Sequence, residues 1–553
     1  MPRTLNFKLI FLLALIVISF SLRIYKLGLV PNGLATDEAD IGYNAYSISK
    51  TGKDVYGRNF PIFFQSLDDY KPGIPIYSSV PAIYFFGLSD FSVRLAPAII
   101  GSLTPILFFF LAALLFPENR KLPYIVSFMT VIAPWNIAIS RAMIQYIDFV
   151  FFYLIFLILL LLGIKKNIKF LPLAFIALGI TVYVYYASII YLPLILIIFA
   201  VLYKDVFIKN LKVTFISLFA LILITFPVIY NYASPKIRSR FTAISLFSTD
   251  ITLPLSISES TYDQKYNIPF SNLVHNRRLI YLSGLLNNYV DYFNFDYMFI
   301  NAQNARYFYV NYVGLFYILE APLFLFGIYK LVKSREKTDF LILSLLLIGP
   351  LPAVITLGSP FPHRALLFII AVQIISALGL SKVLDLSWKS YTHKSILIIL
   401  SLIYAFNVYL FMHQYFFHSP LEFTSEVDNS AWFSTVRETV PKVNAEKSKY
   451  DKVVFTWASP KLVPPVYFLF YNKIDPKILQ AKAAGWTNEP PSYRQIYNQI
   501  GNIEFRPINW STDQYLKGTL FVGYPSEFPK DISKIGETKL PSGKTNFIFA
   551  TNP

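Results

Sequence analysis

Three carboxylates crowd one polar segment, Asp37, Glu38 and Asp40 in TDEADIGYNAYS. A carboxylate at the start of a short helix is kept ionised by the helix dipole, and an ionised carboxylate within reach of a hydroxyl is a general base. Thr36 is a good N-cap and the run to Ser49 is compatible with helix, so Asp37 and Glu38 are expected in a first turn. Spacing alone also allows a plainer role, in which these acids only cap and solvate a loop helix. Further on, LDDYKPG supplies Asp68, Asp69 and Lys71. Lysine beside a membrane commonly snorkels toward lipid phosphate, and this one can do the same.

Other ionisable residues stand next to apolar runs. PWNIAISRAMIQYID carries Arg141 and Asp148 seven residues apart, expected on one face of a helix about two turns long. Such a pair at the mouth of two spans is costly unless solvated or partnered, which makes it either a functional pair or an interfacial anchor. GSPFPHRALLF places His363 and Arg364 where an arginine can answer an anion. Glu320 lies inside the run Leu315 to Tyr329, so it should face the protein interior with a partner, in a packing role or a substrate role.

The elements that must position these groups are membrane helices. The chain is 55% hydrophobic and 18% aromatic with only 15% charged residues, far from a soluble average. It holds about eleven apolar runs near the roughly 20 residues that cross 30 Å of hydrocarbon. Phe7 to Phe20, Leu95 to Phe116, Phe149 to Leu162 and Ile396 to Leu410 are clear cases. The fold class is therefore mostly α, a polytopic helical membrane protein. A cleavable signal peptide is the alternative for the first run, and the ten that follow make a retained helix the simpler reading. The net charge of +17 sits mostly in short loops between apolar runs, the pattern of cytoplasmic loops rather than of a groove for nucleic acid. Without cysteine, no disulfide or thiol chemistry is available.

Basic loops at Arg120 and Lys121, Lys165 to Lys169, Lys204 to Lys212, Lys330 to Lys337 and Lys382 to Lys394 fall at alternate gaps. All of them face the cytoplasm if the short stretch Ile74 to Leu88, broken by Pro75 and Pro81, does not cross. The expected topology is then a multi-pass protein of the plasma (inner) membrane, N-terminus cytoplasmic, with outer loops near residues 23–92 and 230–313. Residues 1–415 form the membrane domain. The tail, 416–553, is expected to be a small extracytoplasmic α/β domain, with β-type runs at Lys452 to Trp457, Val466 to Tyr471, Thr519 to Tyr524 and Asn546 to Thr551. No catalytic constellation stands out in it, which favours an acceptor-docking or structural module.

Carboxylates from one outer loop and cations from others are what transfer from a lipid-linked phosphate requires. The order TDEADIGYNAYS, KPG, P-IYFFGLSDFSVRLAPAIIG, APWNIAISRAMIQYID, YVGLFYILEAPLFLFGI and PHRALLF resembles the GT-C class of membrane glycosyltransferases, with protein-mannosyltransferase-like and aminoarabinose-transferase-like enzymes as the nearest kin, over roughly residues 5 to 415. The resemblance implies inverting transfer of a sugar from a polyprenyl-phosphate donor to an extracytoplasmic acceptor, whether protein, lipid or polysaccharide. It makes Asp37, with Glu38 beside it, the catalytic pair. Lys71, Arg364 and Arg141 become donor-phosphate ligands, with Asp148, Asp69, His363 and Glu320 as further cavity residues. The family's Lys-Pro-Pro element reads Lys71-Pro72-Gly73 here. Some relatives use a divalent metal, and with no His-rich ligand set in the chain a metal stays unassigned.

Two other classes share some of these features. A lipid-linked oligosaccharide transporter would hold its ionisable residues near the bilayer midplane in broken helices, which the sequence does not suggest. A glycan ligase or polymerase using a lipid-diphosphate donor would share the outer cations. The topology is tested by reporter fusions: one after Arg120 should score cytoplasmic and one after Pro553 extracytoplasmic, and the reverse pattern would overturn the orientation.

Overall fold

The computed structural model describes residues 2–66, 69–232, 245–248, 252–302, 310–385, 391–422, 432–459, 461–485 and 493–551. The first half runs α1 (Pro2–Ile24), α2 (Thr36–Thr51), β1 (Phe63–Ser66), β2 (Asp69–Pro72), α3 (Ile74–Phe86), α4 (Asp90–Leu115), α5 (Leu122–Ile132), α6 (Pro134–Ile139) and α7 (Tyr146–Lys165). Later helices include α8 (Ala187–Lys209), α9 (Leu211–Tyr232), α10 (Glu320–Ser334), α11 (Lys337–Ile348), α12 (Leu366–Leu384) and α13 (Tyr391–His413). Among the described residues, eight helices are long and apolar enough to cross a membrane. Shorter apolar helices cover Ile74–Phe86, Leu122–Ile132 and Ile168–Tyr183. At 13 residues with Pro81 inside, α3 is well short of a full crossing.

The chain divides into two compact units. One comprises Met1–Ser19, Leu103–Asn136 and Asp148–Val408 and holds most of the spans. Its centre is α12, whose side chains from Leu366 to Gly379 are all buried. Helices α10 and α12 approach closely because glycine stands at their crossing: a Cβ on Gly379 would collide with the Leu323 carbonyl, and one on Gly327 with that of Ile375. In lipid, where no hydrophobic force drives helices together, close packing of small residues does that work. Trp135 is wholly buried beside this helix and donates from Nε1 to Gln373 Oε1 at 2.8 Å.

The other unit comprises Phe20–Ser102, Ile137–Ile147 and Tyr409–Pro553. The segment from Phe20 to Ser102 and the tail therefore share one body. Leu34, Ala39 and Tyr43 belong to the same apolar core as Phe455, Tyr467 and Phe470. The tail carries a six-stranded sheet built from β3 (Lys452–Phe455), β4 (Gln499–Ile500), β5 (Ile503–Phe505), β6 (Thr519–Gly523), β7 (Lys534–Lys539) and β8 (Thr545–Thr551). The strand order is β4-β5-β3-β6-β8-β7, with β3 parallel to both its neighbours and the other pairs antiparallel. Three of the four expected tail strands are present. The fourth, Val466 to Tyr471, is helical instead, as α14 (Pro464–Tyr471), and it packs on α2. A short apolar run carries no periodicity to separate a buried strand from a buried helix, and the prolines at the first turn decide for helix.

The Gly379 crossing yields a stability prediction. Gly379→Leu should destabilise the membrane unit by at least the roughly 1–3 kcal/mol of an overpacked core, read as a lower unfolding midpoint in detergent, whereas Ser376→Ala on the same helix should change little. An unaltered midpoint in Gly379→Leu would contradict the close crossing.

Candidate active site

The three clustered acids have three different fates. Ala35, not Thr36, occupies the N-cap of α2, and the cap is completed from within the helix, since Ala35 N donates to Glu38 Oε2 at 3.1 Å. Thr36 instead turns to the tail, donating to the Lys461 carbonyl at 3.1 Å and meeting Tyr467 Oη at 3.2 Å. The approach to the cap is tight. Gly33 has φ +86°, and a Cβ there would strike the backbone of Phe433 and Ser434, where Phe433 N donates to the Leu34 carbonyl.

Glu38 is fully buried and so is its partner Arg94. Arg94 donates from Nε to Glu38 Oε1 at 2.9 Å and from Nη2 to Oε2 at 2.8 Å, the bidentate fork–fork arrangement. Its remaining donors go to the carbonyls of Leu27, Pro31 and Gly33, so all five N–H groups are bound. Glu38 Oε1 also accepts from Met143 N at 3.0 Å. With both oxygens occupied and no solvent contact, Glu38 is not the second reactive carboxylate that the sequence led us to expect. It fixes the start of α2.

Asp40 is buried as well. Its Oδ2 accepts from Ser66 Oγ and lies 3.3 Å from Lys71 Nζ, while Asn44 Nδ2 donates to Oδ1 at 3.3 Å. Burial pushes the Asp40 carboxyl above the usual carboxylate range, against the pull of Lys71 and Ser66. The β1–β2 hairpin supplies both neighbours, since Phe64 pairs with Lys71 and Ser66 with Asp69, putting Ser66 and Lys71 on one face.

Asp37 is the open member. Lys71 Nζ sits 2.7 Å from its Oδ1, yet 39% of the Asp37 side chain is exposed against 3% for Lys71. Lys71 was expected on a donor phosphate, and it lies instead between two carboxylates that neutralise it. That ammonium also stands where a divalent ion would have to bridge Asp37 and Asp40, so this pair does not fit a metal. Among the described residues no group of three or more His, Asp or Glu side chains is placed to hold one.

The remaining candidates divide between the units. Arg141 shares this one, but it is fully buried and donates to the carbonyls of Leu22, Arg23 and Val30, with Phe416 and Tyr415 against its guanidinium. Its donors tie the last turn of α1 to the following segment at Val30, which removes it from the expected phosphate ligands. Nor does it share a helix face with Asp148: α6 ends at Ile139, Gln145 has φ +72°, and α7 starts at Tyr146. The intervening turn breaks the seven-residue spacing. Asp69, on β2, accepts from Tyr70 N at 2.7 Å, and Asp68 lies outside the described residues.

In the other unit Asp148 is fully buried in the first turn of α7. Glu320 opens α10, wholly buried, and accepts from Tyr404 Oη at 3.1 Å, the interior partner that its place in an apolar run called for. His363 is buried with its ring stacked on Phe361. Arg364 is half-buried just before α12, donating from Nη1 to Thr356 Oγ1 at 2.6 Å and to the Leu357 carbonyl at 2.9 Å. Arg94 and Ser66 were not singled out from sequence. A signal for Arg94 existed, because an arginine directly before the run Leu95 to Phe116 is costly at a membrane edge unless partnered.

Comparison with known proteins places this architecture. Residues 13–239 match the family model described as dolichyl-phosphate-mannose-protein mannosyltransferase. ArnT from Cupriavidus metallidurans, solved with undecaprenyl phosphate, shares the fold at 12% identity and a TM-score of 0.56, over 98% of each chain. The archaeal oligosaccharyltransferase AglB from Archaeoglobus fulgidus, solved with an inhibitory peptide and a dolichol-phosphate, is similar at 15% identity and a TM-score of 0.50, over 85% of this chain and 63% of that one. No curated protein matches in sequence. With eight helices among the described residues long and apolar enough to cross, the chain is a multi-pass membrane protein. Its N-terminal part is protein-mannosyltransferase-like, and its overall fold is ArnT-like.

The Asp37–Lys71–Asp40 triad predicts a specific rescue. Lys71→Met leaves Asp40 buried without its cation and should cost about 3–5 kcal/mol of unfolding stability. Adding Asp40→Asn should restore much of it, and a Lys71→Met protein as stable as the parent would show that the lysine is not holding the pair.

Proposed function

We propose that the protein transfers a sugar from a polyprenyl-phosphate donor to an acceptor hydroxyl on the extracytoplasmic side, by a single inverting displacement with Asp37 as general base. One observation carries this reading. Of the three acids grouped at the start of α2, Glu38 and Asp40 are buried and committed, and Asp37 alone keeps an exposed carboxylate. The donor class is supported by the protein-mannosyltransferase match and by the lipid phosphates seen with ArnT and AglB.

In the proposed step the acceptor O–H proton passes to Asp37 as its oxygen bonds to the anomeric carbon. The bond from that carbon to the phosphate oxygen breaks, and polyprenyl phosphate leaves. Lys71 acts on Asp37 rather than on the phosphate: it holds the carboxylate in place, with Asp40 as its second acidic neighbour. Acceptor identity stays at the level of a hydroxyl on a protein, lipid or polysaccharide.

Asp37→Asn keeps the side-chain shape and removes the base. Turnover with a polyprenyl-phosphate sugar should fall by at least roughly 10²-fold with an unaltered unfolding midpoint. Wild-type turnover in that variant would dismiss Asp37 as the base.

A further inference from the structure

A cluster of cations in the membrane unit takes no part in the chemistry above. It surrounds a cavity of about 1120 Å³ at the helix ends bearing Lys165 of α7 and Lys382 of α12. Asp148 and Arg364 lie at or just before the opposite ends of the same two helices. Seven cations and four carboxylates line it, drawn from the turn after α4, the end of α7, the end of α10 and start of α11, and the end of α12.

The carboxylates are largely engaged. Asp385 lies 2.8 Å from Lys121 Nζ and 3.9 Å from Lys382 Nζ. Asp339 is buried and accepts from the Glu336 backbone N–H as part of the α11 cap. Lys165 donates to the Leu114 carbonyl. Arg120, Lys330 and Lys333 have no carboxylate partner among the described residues. The two lysines, one turn apart on α10, rest over the rings of Phe326 and Tyr329. Leu115, Phe116, Leu331 and Leu378 form the apolar part of the wall.

We propose that this cavity binds the phosphate headgroup of an anionic phospholipid in the leaflet it opens to, which is the cytoplasmic one under the charge-based topology. The cations lacking carboxylates supply the phosphate ligands, and basic pockets between membrane helices suit such headgroups. A bare phosphate ion would leave most of the volume and the apolar wall unfilled, whereas a glycerophospholipid uses both. The site is independent of sugar transfer, so its failure and that of the proposed reaction are separately visible.

The test is native mass spectrometry of the full chain released from nanodiscs containing phosphatidylglycerol and phosphatidylcholine in equal amounts, counting retained lipid. Wild type should keep phosphatidylglycerol selectively. The variant Arg120→Gln/Lys330→Gln/Lys333→Gln should bind it about a hundredfold more weakly, from about 1 kcal/mol per surface cation. Sugar transfer at saturating donor should stay unchanged. Lys330→Arg/Lys333→Arg should retain the lipid, which separates charge from folding. As a control, Lys204→Gln/Lys209→Gln/Lys212→Gln removes basic residues outside the cavity and should retain it too. Equal retention in the first variant, or equal loss in the control, would overturn the site in favour of diffuse attraction. Binding of inorganic phosphate to the wild type without selective lipid retention would overturn the lipid source and leave a soluble anion in its place.

Discussion

The buried Glu38–Arg94 pair is the constraint on which the candidate site depends. Two charges removed from water are costly unless each is fully answered, and here they are. Every Arg94 donor has an acceptor, and Glu38 accepts from two backbone N–H groups besides the guanidinium. That network joins the loop before α2, the first turn of α2, helix α4 and the chain around Met143. With the first turn locked in this way, its neighbour Asp37 projects to the open side, and Asp40, one turn on, reaches back to the β1–β2 hairpin. A flexible loop bearing the same three acids would leave all of them hydrated and equivalent.

How much of this was legible in the sequence follows from the physics of each element. Long apolar runs declare themselves, because crossing hydrocarbon requires a length and composition that little else shares. The importance of the TDEAD segment was also visible from its residue types and its place beside a span. The division of labour within it was not, since Asp37, Glu38 and Asp40 differ only in which neighbours the tertiary structure brings up. Lys71 illustrates the same limit. Its proximity to the acids was anticipated as a shared cavity, but its neutralisation by Asp37 and Asp40 depends on the hairpin register. Arg141 looked like an anion ligand because an arginine near a membrane mouth is conspicuous, yet its acceptors are backbone carbonyls, which carry no sequence signature. The Val466 to Tyr471 run was misassigned for the related reason that an all-apolar segment has no periodicity to read.

The tail has a more definite part than its composition suggested. It contributes Lys461 and Tyr467 to the first residue of α2, and Phe433 closes over Gly33 just upstream. The segment bearing Asp37 and the C-terminal sheet thus share a core, so the tail supports the candidate site while supplying none of its ionisable groups.

The central claim, that Glu38 and Arg94 act as one structural unit holding Asp37 in position, is tested most directly by a double-mutant cycle on unfolding free energy with Glu38→Gln, Arg94→Met and both together. The account predicts a coupling near the upper end of the roughly 0.5–3 kcal/mol found for residues in contact, with the double variant more stable than the sum of the single losses implies. Losses that add to within about 0.3–0.5 kcal/mol would contradict it.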